Sequence, residues 1–400
     1  MKEHHVGTYA GATEALRHPQ LVQALYDAGA AVMHKVLLTL DGDEHRARRM
    51  LENRVFRKEF LAYYEREVFP PTLASTLAPY IAAGRMDLID FGRRVTMNLT
   101  ADFAGIDRPE GSADETQALF DLVKTFSEGA TLVHSTRVHA EVESEVRDAL
   151  VILESRFLRP SMQRRQALMA SFARGEITED ELPRDILTVL MRNEDKVELP
   201  YDVLLREMAF YLQAGSHSTS NSLAHALHEI FLWCEKRPED WQRVVDDKLF
   251  LQRCVHESLR LHPASPVAWR RPTCPVSMQG SEQLGDRDRI VIDLASANRD
   301  VAIFGADADE FNPARVIPRG HFPFGLTFSS GVHTCLGRDL DGGVVAKPDT
   351  DPAKHQYGLI ALLISAMLDA GVRPDPDNAP VPDMHTQRSN WGSYPVVFTR

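Results

Sequence analysis

Ten residues near the C-terminal end constrain this chain more than any other stretch: Phe328-Ser-Ser-Gly331-Val-His333-Thr-Cys335-Leu-Gly337. A cysteine among small residues in a turn, about to enter a helix, can be held as a thiolate by backbone N–H groups and the helix N-terminus. Gly331 and Gly337 let the backbone pass close to a flat ligand and adopt dihedrals that a Cβ forbids. His333 offers a ring N–H to an anionic group. Three readings stand at this point. Cys335 is a buried structural thiol in a glycine-rich loop, or it binds zinc with His333, or it ligates haem iron as a thiolate. Zinc lacks a second Cys or His pair at ligand spacing.

A chain of 400 residues, 44% hydrophobic and 26% charged, can bury a large core, and no Pro/Gly/Ser-rich linker or long charge run divides it. One domain over residues 1–400 is expected. The longest apolar stretch, residues 359–368, is too short to span a bilayer, and the opening Met1-Lys-Glu-His-His carries no secretory apolar region. These features predict a cytoplasmic protein with no membrane anchor. Cys234, Cys254, Cys274 and Cys335 form no C-x-x-C pair and suggest no disulfide framework. A net charge of −12 argues against nucleic acid as a partner.

Amphipathic spacing predicts helices over residues 10–17, 44–58, 88–104, 114–126, 140–157 and 201–234, with short strands at 289–293 and 395–399. The expected fold class is mainly α with small β-sheets. No internal repeat or low-complexity tract interrupts it.

Further motifs precede the cysteine. Glu257-Ser-Leu-Arg260, read alone, is a solvated i,i+3 pair, but Leu261-His-Pro-Ala-Ser-Pro266 and Arg270 follow it. In Asp41-Gly-Asp-Glu-His45-Arg-Ala-Arg-Arg49, His45 and Arg49 stand one helical turn apart and share a face. The long predicted helix contains Ala214-Gly215-Ser216-His217-Ser218-Thr219.

In this order the motifs resemble the cytochrome P450 family, whose haem-binding signature is Phe-x-x-Gly-x-His-x-Cys-x-Gly; the family usually has Gly where Ser329 stands. The resemblance covers about residues 10 to 400 and implies a fold enclosing haem b, with Cys335 as the metal ligand. It implies that His45, Arg49, Arg270 and His333 meet the haem propionates, that Gly331 and Gly337 flank the ring, and that Gly215 opens room beside the iron. Glu257 and Arg260 would form a buried network with Arg299 or Arg315.

The family's distal helix carries an acid followed by Thr, which guide protons to iron-bound oxygen; His217 stands for the acid, Ser218 for the Thr, and Thr219 is a nearby substitute. Two more departures stand out. The helix resembling the first haem-contacting one starts near residue 44, earlier than in most members, so the N-terminal helix and part of the usual sheet are expected to be shortened. After Cys335, Gly and Pro in residues 341–353 predict an inserted loop, with the helix resuming near residue 354.

The implied activity is a monooxygenase that uses O2 and inserts one of its oxygen atoms into an apolar, mid-sized organic substrate. Met208, Tyr211, Leu212, Ala214, residues 267–269 and residues 32–37 are candidate pocket residues, equally explained as core. No Gly-x-Gly-x-x-Gly fingerprint or cluster-type cysteine spacing is present, so electrons from NAD(P)H are expected through a ferredoxin or flavodoxin and its reductase. Arg46, Arg48, Arg54, Lys58 and Arg338 are candidates for a basic docking patch. Two rival functions stay open: a peroxide-driven or redox-neutral haem-thiolate enzyme, and a non-catalytic haem or ligand-binding protein.

Overall fold

The computed structural model describes residues 2–278, 283–285 and 287–399. Helices dominate, and short strands gather in three small sheets. The principal helices are α1 (Tyr9–Arg17), α2 (Gly42–Glu52), α3 (Leu88–Ala104), α4 (Ala113–Ala130), α5 (His139–Ile152), α6 (Tyr201–Lys236), α7 (Lys248–Leu261) and α8 (Leu359–Asp369). Their starts follow local capping chemistry. Thr8, Asp87, Ser112 and Asp247 each accept a hydrogen bond from an otherwise orphaned backbone N–H in the first turn.

The 36-residue helix α6 is the axis of the molecule, about 54 Å long at the usual rise per residue. It is buried on nearly every side and packs most extensively against α3, then against α4 and α7. Apolar side chains along most of its length have to be enclosed, and the other helices enclose them.

Two predicted helices change character where their pattern runs on. The one beginning at residue 42 tightens after Glu52 into a 3-10 turn, Asn53–Phe56, and α5 passes through a π-helical turn, Leu153–Leu158, before continuing as Arg159–Ala173. The helix expected to resume near residue 354 instead starts at Leu359. Between it and a four-residue turn, Arg338–Asp341, the intervening loop closes on itself, with Val344 N–H donating to Gln356 O at 3.0 Å.

The strands are β1 (Glu3–Val6), β2 (Leu21–Gln23), β3 (Arg85–Asp87), β4 (Val267–Pro272), β5 (Arg289–Asp293), β6 (Val372–Pro374), β7 (Val381–Pro382), β8 (Trp391–Ser393) and β9 (Pro395–Phe398). The largest sheet has the order β1-β5-β4-β2, with β1 parallel to β5 and the other pairs antiparallel. A second sheet runs β3-β9-β6, and β7 pairs with β8. Side chains from all three apolar core clusters border one interior cavity. Among the described residues no helix is long and apolar enough to cross a membrane.

Candidate functional site

The Cys335 loop is held from behind by a buried ion network. Glu257 accepts from Arg260 Nε at 2.9 Å and Nη2 at 2.7 Å, and from Arg315 Nε at 3.0 Å. Of the two arginines the sequence offered, Arg315 therefore completes the network, while Arg299 donates to the Ala295 and Leu261 carbonyls. Arg260 also donates to Asn298 O, and the Asn298 side chain in turn accepts from Leu326 N at 2.7 Å and donates to Thr327 Oγ1 at 3.0 Å. Removing any member would strand a buried charge or dipole, so the start of the loop is fixed by helix α7.

Within the loop, Cys335 N–H donates to Phe328 O at 2.9 Å. Ser329 has φ +62°, a left-handed conformation that costs a side-chain-bearing residue about 1–2 kcal/mol and a glycine nothing, which is a physical reason for a glycine at that position. Gly331 has φ +78°, and a Cβ there would lie 3.0 Å from Leu16 O, so the loop can approach α1 only without a side chain.

The Cys335 thiol faces the cavity, and its exposed surface belongs to that wall rather than to bulk water. Burial, reinforced by Asp341, pushes its pKa up to about 11; the Gly337 N–H, Arg49 and Arg338 act in the opposite direction. An unligated thiol here stays protonated, whereas a bound metal would displace the proton.

The cavity, about 330 Å³, is largely apolar but has a basic margin. His45, Arg49, Arg270 and His333 all line it. The His45 and His333 rings lie 4.5 Å apart, and His333 Nε2 faces Asp41 Oδ1 at 3.3 Å. His45 Nε2 is buried without a partner, and burial, then His333 and Arg49, lower the ring's pKa to about 4. Arg270 is fully buried and donates hydrogen bonds to Gln23 Oε1 at 2.5 Å and Trp269 O at 3.0 Å. Arg49 reaches Thr334 O at 2.5 Å. Among the described residues neither arginine forms an ion pair, and burying such cations is costly without an anion. A thiol on one wall and unneutralised cations at its margin fit an iron porphyrin with two carboxylates.

Across the cavity, α6 contributes Ala214, Gly215, His217 and Ser218. A Cβ at Gly215 would come 2.7 Å from Thr100 Oγ1, so the glycine permits the close approach of α3. Ser218 Oγ donates to Ala214 O at 2.6 Å. His217 stands between this cavity and a second, polar one of about 430 Å³ lined by Arg93, Glu128 and Asp383 among others. Burial, then Arg388 and Arg93, lower its pKa to about 3, so the ring is neutral at physiological pH. Thr219 turns away from the cavity lining and donates to Asp341 Oδ1 at 2.8 Å. Burial raises the Asp341 carboxyl to about 7.

Of the two readings open for the pocket candidates, Met208 and Leu212 take the core one, and of residues 32–37 and 267–269 only Leu37 and Ala268 reach the cavity. Two further placements were not expected. Arg48 is no docking residue: it is fully buried and pairs with Glu52 at 3.3 Å and with Glu207. Arg388 lines the cavity from the loop between β7 and β8, where nothing in the sequence marked it.

Comparisons with known proteins agree with this geometry. The family model "Cytochrome P450" matches residues 117–340, more than half of the chain. "Cytochrome P450 734A1" of Arabidopsis thaliana is 28% identical over 223 residues, which is 50% of this chain and 40% of that protein. The matches to the curated relatives span 40% of their length or less. Among solved structures, that of CalO2 aligns with a TM-score of 0.74 and 17% identity, covering 99% of this chain and 90% of that one. The Tepidiphilus thermophilus P450 heme domain also aligns at 0.74, with 19% identity and coverage of 98% and 88%. A thiol on the wall of an interior cavity is the arrangement that a haem-thiolate site requires. The chain belongs to the cytochrome P450 family.

Proposed function

We propose that the protein is a monooxygenase that holds haem b through Cys335 Sγ and inserts one oxygen atom of O2 into a bound organic substrate. The observation that carries this reading is the Cys335 thiol opening into a cavity whose margin holds four basic side chains, His45, Arg49, Arg270 and His333. The first three would take the propionates with His333, while Gly337 N–H and Arg49 favour the thiolate form of the ligand. When bound, the haem supplies the binding and reductive activation of O2.

The chain's own contribution is positioning and proton handling. Ser218 Oγ spends its proton on Ala214 O and keeps acceptor lone pairs toward the cavity, where it can orient a proton-bearing water. His217, neutral and set between the two cavities, can take a proton from the polar side and return it on the other. Thr219 acts at a distance from the substrate, by fixing Asp341.

Electrons come, on this reading, from NAD(P)H through a ferredoxin or flavodoxin with its reductase in the cytoplasm. Arg54 and Lys58, both exposed, remain docking candidates with Arg46 and Arg338. A second reading, peroxide-driven turnover, is favoured by one observation, the neutral His217 in place of an acid. Turnover under isotopically labelled O2 with a ferredoxin chain, set beside turnover with peroxide, tests the two. Label in the product supports the monooxygenase; product from peroxide alone selects the second reading.

A further inference from the structure

Arg388 is a cation for which the haem site has no evident use. It sits in the loop joining β7 to β8, and that loop is pinned: Thr136 N–H donates to His385 O at 3.2 Å, Gln387 N–H to His134 O at 2.8 Å, and Thr136 Oγ1 to Met384 O at 3.0 Å. The side chain is thus held against the cavity by backbone hydrogen bonds. Its Nε is buried without a partner, and among the described residues the guanidinium makes no hydrogen bond or ion pair.

The groups facing it are neutral. Burial holds His134 and His217 below the usual range, to about 4 and about 3, with Arg388 itself contributing to both shifts. Tyr26 is held protonated by burial. Arg93, the other cation beside His217, faces Asp383 at 4.0 Å in the second cavity. Burial lowers the Arg388 pKa, yet a guanidinium keeps its proton in proteins. The residue as a whole is half-buried and lines the cavity wall, and a guanidinium whose Nε is shut off from solvent without a counter-ion is costly; a ligand anion in the cavity would relieve that cost.

Resting on the haem-thiolate reading above, we propose that Arg388 determines specificity: the substrate is an organic carboxylate whose anionic end is held by Arg388 beside the Tyr26 hydroxyl. The body of such a molecule lies along the apolar wall of Phe210, Ala214, Ala268 and Leu294. The expectation of an apolar, mid-sized organic substrate is thereby narrowed to an amphiphilic one.

The test uses holoprotein and three matched pairs of probes: hexanoate with hexanol, decanoate with decanol, and phenylpropanoate with phenylpropanol. Binding is read twice, by the spin-state shift of the haem and by thermal protection of the protein. The acids should bind about 10-fold or more tighter than their alcohols, and Arg388→Gln should weaken the acids about 10- to 100-fold while leaving the alcohols within about twofold. Arg388→Lys should recover part of the acid preference. Equal binding of acids and alcohols, or an acid preference that survives in Arg388→Gln, would overturn the assignment. So would loss of haem in that variant, which would make Arg388 a propionate ligand, or full competition by chloride alone, which would reduce the site to a simple anion hole. If the wild-type protein lacked a thiolate-type spectrum, the monooxygenase reading would fail by itself, and acid-specific thermal protection would still report on Arg388.

Discussion

Two buried carboxylates share one guanidinium at the start of α6, and Glu207→Gln is the perturbation that exposes the consequence. Glu52, Glu207 and Arg48 are all fully buried. Arg48 pairs with both acids, Leu37 N–H donates to Glu207 Oε2 at 3.0 Å, and Tyr211 O–H donates to Glu52. With one cation against two acids, the pair retains a proton. Burial, then the charge of Glu52, raises Glu207 to about 8, with Arg48 opposing. Because the folded state holds a proton that the unfolded chain releases near pH ~4.3, its contribution is complete below that value and is lost as pH rises toward the folded pKa. The slope is at most about 1.4 kcal/mol per pH unit, so the wild type should lose roughly 2 kcal/mol between about pH 6 and about pH 8 on this account alone. Glutamine is the neutral isostere of the protonated acid and keeps an acceptor for Leu37 N–H. Urea midpoints across that range should therefore show Glu207→Gln gaining on the wild type as pH rises, whereas other titrating groups cancel in the difference. A difference independent of pH, or one that shrinks as pH rises, would refute the shared proton.

Glu257→Ala leaves Arg260 and Arg315 buried without their carboxylate and should cost about 3–5 kcal/mol in denaturant unfolding; a loss under ~1 kcal/mol would mean the surrounding carbonyls suffice. Ser329→Gly relieves about 1–2 kcal/mol of left-handed strain against roughly 0.5–1 kcal/mol of added chain entropy, so the melting temperature should rise slightly; a fall would show that the hydroxyl earns its place. Ser218→Ala should divert reducing equivalents to peroxide while Thr219→Val should not, measured as peroxide released per NAD(P)H consumed; equal uncoupling would put both hydroxyls in the same proton path.

What the sequence made legible lies within single elements. The long run around Ala214 announces α6 by its apolar periodicity, and the spacing of His45 and Arg49 places both on one face of α2, where they do reach the cavity. The Cys335 segment is likewise a local pattern, with the turn requirements of Gly331 written into it. Contacts between distant elements leave no such trace. Arg48 reads as one more surface arginine until Glu207, far along the chain, is brought beside it. Thr219 and Ser218 are adjacent in sequence, yet a rotation of about 100° per residue sends one to Asp341 and the other to the cavity wall. Arg388 lies in a loop with no periodicity, and only its pinning to residues 134–136 gives it a direction. The breaks at Asn53 and Leu153 were equally hidden, because a 3-10 or π turn barely disturbs an amphipathic pattern over so few residues.

The central claim is that Cys335 ligates haem iron as a thiolate. Its most direct test is the absorption spectrum of the reduced protein under carbon monoxide, recorded for the wild type and for Cys335→Ala. A strongly red-shifted, thiolate-type Soret band that vanishes in the variant is the expected result. A histidine-type band that the substitution leaves unchanged, or a wild-type protein that retains no haem, would contradict it.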